Sequence, residues 1–182
     1  MWIYIVIAIV VIIVLYALIT YNNFIKLKNT VKEAFATMDV YLKKRWDLIP
    51  NIVETVKGYA KHEENTLKEV VELRNSSYDS MSDDEKVKAN QKISKDINKI
   101  MLLAESYPDL KASTNFQDLS RELSKVEEDI ANSRKYYNGA IEMFNNKVEM
   151  FPSNIFAKLF GYKPKEMFET DEQERENIKV SF

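Results

Sequence analysis

The chain has 182 residues, a formal net charge of −2 and no cysteine, and it contains only three glycines and four prolines. A nearly neutral chain lacks the general basic field that attracts nucleic acid. Without cysteine, disulfides, thiol nucleophiles and cysteine-ligated zinc are excluded. Scarce helix breakers combined with 30% charged residues favour long amphipathic helices.

The N-terminal segment is the most apolar part of the chain. No charged side chain occurs in the first 25 residues, and the apolar run from Trp2 to Ile19 is unbroken. About 20 such residues cross the hydrocarbon core of a bilayer as a helix. A cleaved signal peptide would need a basic start and a small-residue cleavage site, which this segment lacks. A buried core helix is the other alternative, but such helices rarely run this far without a polar face. We therefore predict an uncleaved transmembrane anchor over residues 1–23.

Aromatic and basic residues flank this anchor, as expected at the two membrane interfaces. The residues assigned to the anchor and its borders are Trp2, Tyr4, Tyr16, Tyr21, Lys26 and Lys28. Because the lysines follow the apolar run, the positive-inside rule predicts an external N-terminus and a cytoplasmic remainder. The expected location is the cell membrane, crossed once.

The helical pattern continues beyond the anchor without an intervening glycine or proline. Apolar residues recur in steps of three and four at Phe24, Leu27, Val31, Ala34, Met38, Leu42, Trp46 and Ile49. The transmembrane helix is therefore expected to continue into the following domain. Since proline removes one helical hydrogen bond, we predict a long helix over residues 24–75 that is kinked at Pro50. Two separate helices are the alternative.

Three more helices are predicted. Ser82 and Glu85 match a capping box, which places a helix at residues 83–106. A three-four stripe from Phe116 to Phe151 indicates a helix at residues 115–151, as in coiled coils and bundles. A short helix at 153–160 precedes Gly161. The fold class is thus all-α, with the anchor leading into an antiparallel, up-and-down four-helix bundle over residues 24–162. An acidic, weakly ordered tail is expected over residues 163–182.

Residues that could carry chemistry are few. The only histidine, His62, lacks the second histidine of a HExxH zinc motif, so we expect a solvated or helix-end side chain. Around Pro50, a polar set consists of Arg45, Asp47, Asn51 and Glu54. A polar surface with local capping is one interpretation of this set, and a recognition or assembly site is the other. The sequence predicts no catalytic residue, cofactor or metal site.

Several segments resemble the LemA family of bacterial membrane proteins. The most specific are the block from Leu42 to Glu63, which contains Asp47-Leu-Ile-Pro-Asn51, and the block Tyr107-Pro-Asp-Leu-Lys-Ala112. Further matches are Tyr21-Asn, Val31-Lys-Glu-Ala, Asn115-Phe116, Arg134, Tyr137-Asn138, Asn145, Phe151-Pro152, Gly161 and Val180-Ser-Phe182.

The resemblance implies a single-pass anchor followed by a cytoplasmic four-helix bundle, with no established catalytic activity and no agreed active site. Similar proteins look like membrane-organising or scaffold components. The resemblance also suggests a packing or assembly role for Arg45, Asp47, Pro50, Asn51, Glu54 and His62.

The expected function is therefore that of a non-enzymatic scaffold: a homo-oligomer that organises or shapes the bilayer. The alternative is a monomeric adaptor that binds another membrane-associated protein through the bundle, and a hydrolase is the least favoured candidate. No nucleic acid and no small-molecule substrate are expected. Apolar positions outside the main stripes could contact neighbouring copies. They are Phe35, Tyr41, Tyr59, Tyr136 and Met143.

Overall fold

The computed structural model describes residues 1–60 and 78–168, and its regular elements in these ranges are all helical. They are α1 (Trp2–Tyr59), a single 3₁₀ turn (Tyr78–Ser80), α2 (Asp83–Glu105), α3 (Pro108–Ala112), α4 (Thr114–Glu149) and α5 (Ser153–Phe160). The all-α class with a long, apolar N-terminal helix is confirmed, and the helix contacts are consistent with the predicted bundle.

The described residues form two compact units. Unit 1 combines residues 1–37 with residues 133–168, and unit 2 combines residues 38–60 with residues 78–132. Both α1 and α4 contribute residues to each unit, and with 58 and 36 residues they are the longest helices in the described ranges.

Unit 1 has an interior of apolar and aromatic side chains from α1, α4 and α5. Phe24 of α1 is completely buried, although it comes directly after the segment assigned to the anchor. The cluster around it consists of Val31, Ala34, Ala140, Ile141, Phe144, Val148 and Ala157. The predicted stripes of α1 and α4 thus converge on one core in this unit.

Unit 2 has its own core, built from the predicted stripes of α1, α2 and α4. Its buried apolar residues include Met38, Leu42, Trp46, Ile49, Val53, Val56, Ile93, Ile97, Ile100, Ala104, Phe116, Leu123, Val126 and Ile130. Burial at this three-four spacing explains why these segments are helical, since each helix turns one apolar face inward.

At the predicted kink, α1 passes through Pro50 and remains a single helix up to Tyr59. The rest of the predicted helix, residues 61–75, lies outside the described residues. Further along, the structure contains a short helix, α3, which the sequence analysis did not predict. Pro108 suits the first position of α3, where a backbone N–H would have no helical partner.

The start of α2 confirms the predicted capping box. The Ser82 hydroxyl accepts a hydrogen bond from the backbone N–H of Glu85, and the Glu85 carboxylate accepts one from the backbone N–H of Ser82. These bonds to Ser82 lower the pKa of the Glu85 carboxyl. Two donors that the helix would leave unpaired are thereby satisfied.

The end of α4 differs from the prediction. Phe151 was expected to continue the apolar stripe, but α4 ends at Glu149 and the Phe151 side chain is exposed. Residues 163–168, assigned to the weakly ordered tail, instead lie along α4 and are bound to it by hydrogen bonds. The remaining part of the predicted tail lies outside the described residues.

Candidate functional site

The predicted anchor residues lie in the N-terminal half of α1. By length and composition, α1 is long and apolar enough to cross a membrane, and only 6% of its most apolar 18-residue stretch is buried. Trp2 and Tyr4 are exposed, and so are Lys26 and Lys28 beyond the apolar run. An apolar helix surface with so little protein cover is suited to contact with lipid.

Aromatic contacts join α5 to the last turns of this apolar segment. The ring centroids of Tyr16 and Phe156 are 5.5 Å apart, and those of Tyr21 and Phe160 are 5.2 Å apart. Such separations are typical of packed aromatic pairs. The anchor is therefore not an isolated helix at this end, because α5 lies beside it.

A second aromatic layer follows immediately along α1. Phe24 stacks on Tyr162 with a centroid distance of 4.6 Å, and Phe144 contacts both rings edge-on at 6.2 and 6.0 Å. Burial raises the pKa of Tyr162 and thereby favours its neutral phenol. This layer closes the unit 1 core next to the anchor.

The segment after α5 is held on α4 by two asparagines. We call residues 162–168 the strap. The Asn145 side-chain amide donates to the carbonyl of Lys165 and accepts from its N–H, both at 2.8 Å. Asn138 makes the same pair of bonds to Phe168, at 2.9 and 2.8 Å. The Arg134 guanidinium lies 4.5 Å from the Phe168 ring.

The spacing of these contacts follows from helix and strand geometry. Seven residues of α4 separate the two asparagines and rise about 10.5 Å. Three residues of extended chain, from Lys165 to Phe168, span about 10 Å. The two asparagines are therefore spaced to bind two residues of the extended strap that lie three positions apart. They had been noted only as part of the family resemblance, although their seven-residue spacing is visible in the sequence.

In unit 2, Arg45 is the centre of a buried polar network. Its side chain is 1% exposed. The guanidinium donates to the Asn90 side chain at 2.9 and 3.2 Å, to the Asn90 carbonyl at 2.8 Å and to the Ser94 hydroxyl at 2.9 Å. It also pairs with the Glu127 carboxylate at 2.8 Å. These bonds can use all five N–H groups of the arginine and connect α1 with α2 and α4.

A second polar cluster of unit 2 surrounds Tyr78. The Tyr78 hydroxyl donates to Asp39 at 2.7 Å, and the Lys86 ammonium is 2.7 Å from the other Asp39 oxygen. Burial, followed by the hydrogen bond to Asp39, raises the pKa of Tyr78 far above its ordinary value of 10. The phenol therefore remains a donor, and its ring packs against Trp46 at a centroid distance of 5.3 Å.

The structure separates the predicted polar set around Pro50. Arg45 points into the core of unit 2, whereas Asp47, Asn51 and Glu54 are exposed on α1. Asp47 pairs with Lys43 one turn away at 3.1 Å, and Pro50 is half-buried. His62 lies outside the described residues. Within residues 1–60 and 78–168, no group of three or more histidine, aspartate or glutamate side chains could hold a metal ion.

An exposed seam runs along the part of α4 that belongs to unit 1. We define it by Tyr136, Gly139, Met143, Asn146 and Met150, which follow one another in steps of three, four, three and four. Met150 directly follows the last residue of α4. Tyr136, Met143 and Met150 are exposed, and nothing lies within 4 Å of a Cβ added at Gly139. Only Tyr136 and Met143 had been singled out from the sequence. Of the other three positions named with them, Phe35 is buried, Tyr41 is half-buried and Tyr59 is exposed.

When the chain is compared with known protein families, residues 34–182 match the LemA family. The chain belongs to the LemA family. The matched region begins after the anchor and includes Arg45, the seam and the strap. This is not a known enzyme family. Together with the apolar segment of α1, membership indicates a membrane-anchored helical protein.

Curated relatives extend this family match. The chain is 25% identical over 161 residues to Protein LemA of Metamycoplasma hominis, an alignment covering 88% of this chain and 74% of that protein. It is also 27% identical over 73 residues to the magnetosome proteins MamQ 1 and MamQ 2 of Paramagnetospirillum magneticum. Those two alignments cover 40% of this chain and 27% of each magnetosome protein.

Proposed function

We propose that this LemA-family protein is a non-enzymatic membrane scaffold whose copies associate through the seam of α4 and thereby organise or shape the bilayer. The observation that carries the proposal is the exposed apolar seam within the same unit as the anchor. Among the described residues, the large side chains of the seam, Tyr136, Met143 and Met150, remain exposed.

The spacing of the seam favours a helical partner. Alternating steps of three and four are the a and d positions of a coiled coil, which bring one narrow stripe against a neighbouring helix. Gly139 would allow close approach of a second backbone, and Asn146 could fix the register as a polar residue among apolar ones. Confinement of anchored copies to the bilayer raises their effective concentration, which compensates for the short length of the seam.

Each copy carries its own anchor at the same place in the chain, and this determines how two copies could meet. Because both anchors enter the bilayer in the same orientation, the two α4 helices would run parallel around a twofold axis normal to the membrane. Each seam residue would then face its own counterpart. The lysines after the apolar run favour a cytoplasmic location for this contact, with the N-terminus outside.

Self-crosslinking tests this arrangement. The chain has no cysteine, so Met143→Cys introduces a single thiol into the full-length protein. In proteoliposomes under mild oxidation, we expect a disulfide-linked dimer to form rapidly. Glu142→Cys is the matched control, since it lies next along α4 but is rotated about 100° away from the seam.

The lipid-to-protein ratio and the particle mass complete the test. Crosslinking through residue 143 should persist when protein is diluted in lipid, and Met143→Glu should reduce the mass measured by light scattering in mild detergent. Equal crosslinking of the two cysteine variants, or a monomer in detergents and nanodiscs alike, would contradict the proposal. A monomer that instead crosslinks to a different protein in native membranes would support the adaptor alternative.

A further inference from the structure

The short helix α5 has one face against the anchor. Phe156 and Phe160 contact Tyr16 and Tyr21 of α1, while Ser153 and Ala157 are buried. Thr20 of α1 is also buried, although it follows directly after the unbroken apolar run. Helix α5 is thus packed alongside the end of the predicted membrane span.

The opposite face of α5 is apolar and uncovered. Phe151, Ile155 and Leu159 are 80%, 57% and 75% exposed. Ile155 and Leu159 are four residues apart and therefore share one side of the helix, while Phe151 lies two residues before α5 begins. Apolar side chains this exposed and this close together mark a binding surface rather than ordinary solvent-exposed protein.

The position of α5 along α1 indicates what covers this surface. Tyr16 lies inside the apolar run, and it precedes Tyr21 by five residues, a rise of about 7.5 Å. If the run spans the bilayer, a side chain in contact with Tyr16 therefore lies at the depth of the hydrocarbon region, near the edge where the run ends. Helices that lie in a membrane interface bury their apolar face to a depth of about 5–10 Å.

We propose that α5 is an interfacial helix: its ridge of Phe151, Ile155 and Leu159 is embedded in the bilayer next to the anchor. The lipid surface is the occupant because α5 packs on Tyr16 and Tyr21 at the end of the anchor, where Leu18 and Ile19 are exposed apolar residues as well. Lys158 and Lys163 are exposed and can reach lipid phosphates, as basic side chains do beside apolar membrane surfaces. This contact does not depend on self-association, so the scaffold could fail while the interfacial helix remains.

Spin-label depth measurement tests the proposal in the full-length protein. Leu159→Cys carries a nitroxide label in proteoliposomes of phosphatidylcholine with a minor share of phosphatidylglycerol. Accessibility is then measured to oxygen, which concentrates in lipid, and to a water-soluble nickel chelate. Ile9→Cys marks the centre of the span. Lys135→Cys marks an exposed site on α4, two residues before Tyr137, whose ring centroid is 5.6 Å from that of Phe35.

The expected ratio of oxygen to nickel accessibility at residue 159 is severalfold higher than at residue 135 and lies between those of residues 135 and 9. A nickel accessibility at residue 159 equal to that at residue 135 would overturn the proposal, because the ridge would then face water. Low accessibility to both reagents at every lipid-to-protein ratio would also overturn it, because protein would then cover the ridge. Ile155→Cys repeats the measurement one turn away and guards against a local effect of the label.

Discussion

The two units bury very different side chains, although the same two helices, α1 and α4, contribute to both. The core of unit 1 is a cluster of apolar and aromatic residues around Phe24 and Phe144. The core of unit 2 contains a buried arginine, Arg45, with Asn90 and Glu127 as partners. Burial of apolar side chains stabilises the fold without a strong dependence on direction. A buried guanidinium, in contrast, requires its hydrogen-bond acceptors at defined positions.

The two cores therefore have different physical roles. Unit 1 includes the anchor, and its aromatic layers extend the apolar character of that segment into the folded part of the same unit. In unit 2, the stripes of α1, α2 and α4 could pack in neighbouring registers, since apolar side chains of similar size tolerate exchange. We expect that only the observed register brings Arg45 to all its acceptors, so that the network would select this register.

The largest effect is expected from the apolar core. Phe144→Ala removes a buried ring that packs on Phe24 and Tyr162 and should lower the free energy of unfolding by about 4 kcal/mol. Hydrogen exchange of the full-length protein in nanodiscs should show the loss in amides of unit 1. Glu142→Ala, at an exposed position of the same helix, should change protection little. Equal loss of protection in both units would show that they unfold together and would remove the energetic basis of the comparison.

A somewhat smaller effect is expected at the polar core. Arg45→Met keeps much of the side-chain volume but leaves the buried side-chain oxygen of Asn90 without its arginine donor, at a cost of about 3 kcal/mol. Because Glu127 is partly exposed, its charge can be solvated after the change. Hydrogen exchange should localise the loss to unit 2. Arg121→Met, which breaks an exposed pair with Asp118, should have almost no effect. A stability for Arg45→Met equal to wild type would show that apolar stripes alone determine the register.

The smallest effect is expected at the start of α2. Ser82→Ala removes the helix cap and should cost about 1 kcal/mol. Ser124→Ala, in the middle of α4, is the control because its hydroxyl caps no helix end. The Glu85 pKa is lowered in the folded chain, so its stabilising contribution is present above its ordinary value of 4.5 and lost as the pH falls further. The advantage of wild type over Ser82→Ala should therefore shrink in acid. An advantage that stays constant down to pH 3 would show that the Glu85 carboxylate contributes nothing to the cap.

The sequence predicted the parts of the fold that depend on local periodicity. Phe24, Met38, Ile97 and Val126 belong to predicted stripes and are all buried, since each spacing reports which face of its helix turns inward. The capping box was equally local, because Ser82 and Glu85 are three residues apart. Such features need no knowledge of what lies across the core.

The candidate site depended on distant partners and was therefore harder to predict. Arg45 looked like one more polar residue near Pro50, because Asn90 and Glu127 are 45 and 82 residues away in the chain. The α4 seam could be recognised only when burial showed that Met143 and Met150 are left uncovered. Likewise, the exposure of Leu159 follows from the packing of Phe156 on Tyr16, which no helical spacing reports.

The asparagine contacts to the strap bear on how this chain can diverge over evolutionary time. Asn138 and Asn145 bind main-chain atoms of Phe168 and Lys165, so they recognise an extended peptide irrespective of its side chains. Mutations at the exposed strap positions, residues 163–167, would then have little effect on this contact, unlike those at Tyr162 and Phe168, whose rings are packed. The asparagines themselves have little freedom, since aspartate loses the donor and glutamine is one methylene too long. Asn138 and Asn145 would therefore change slowly during evolution, whereas the exposed residues of the strap would change faster.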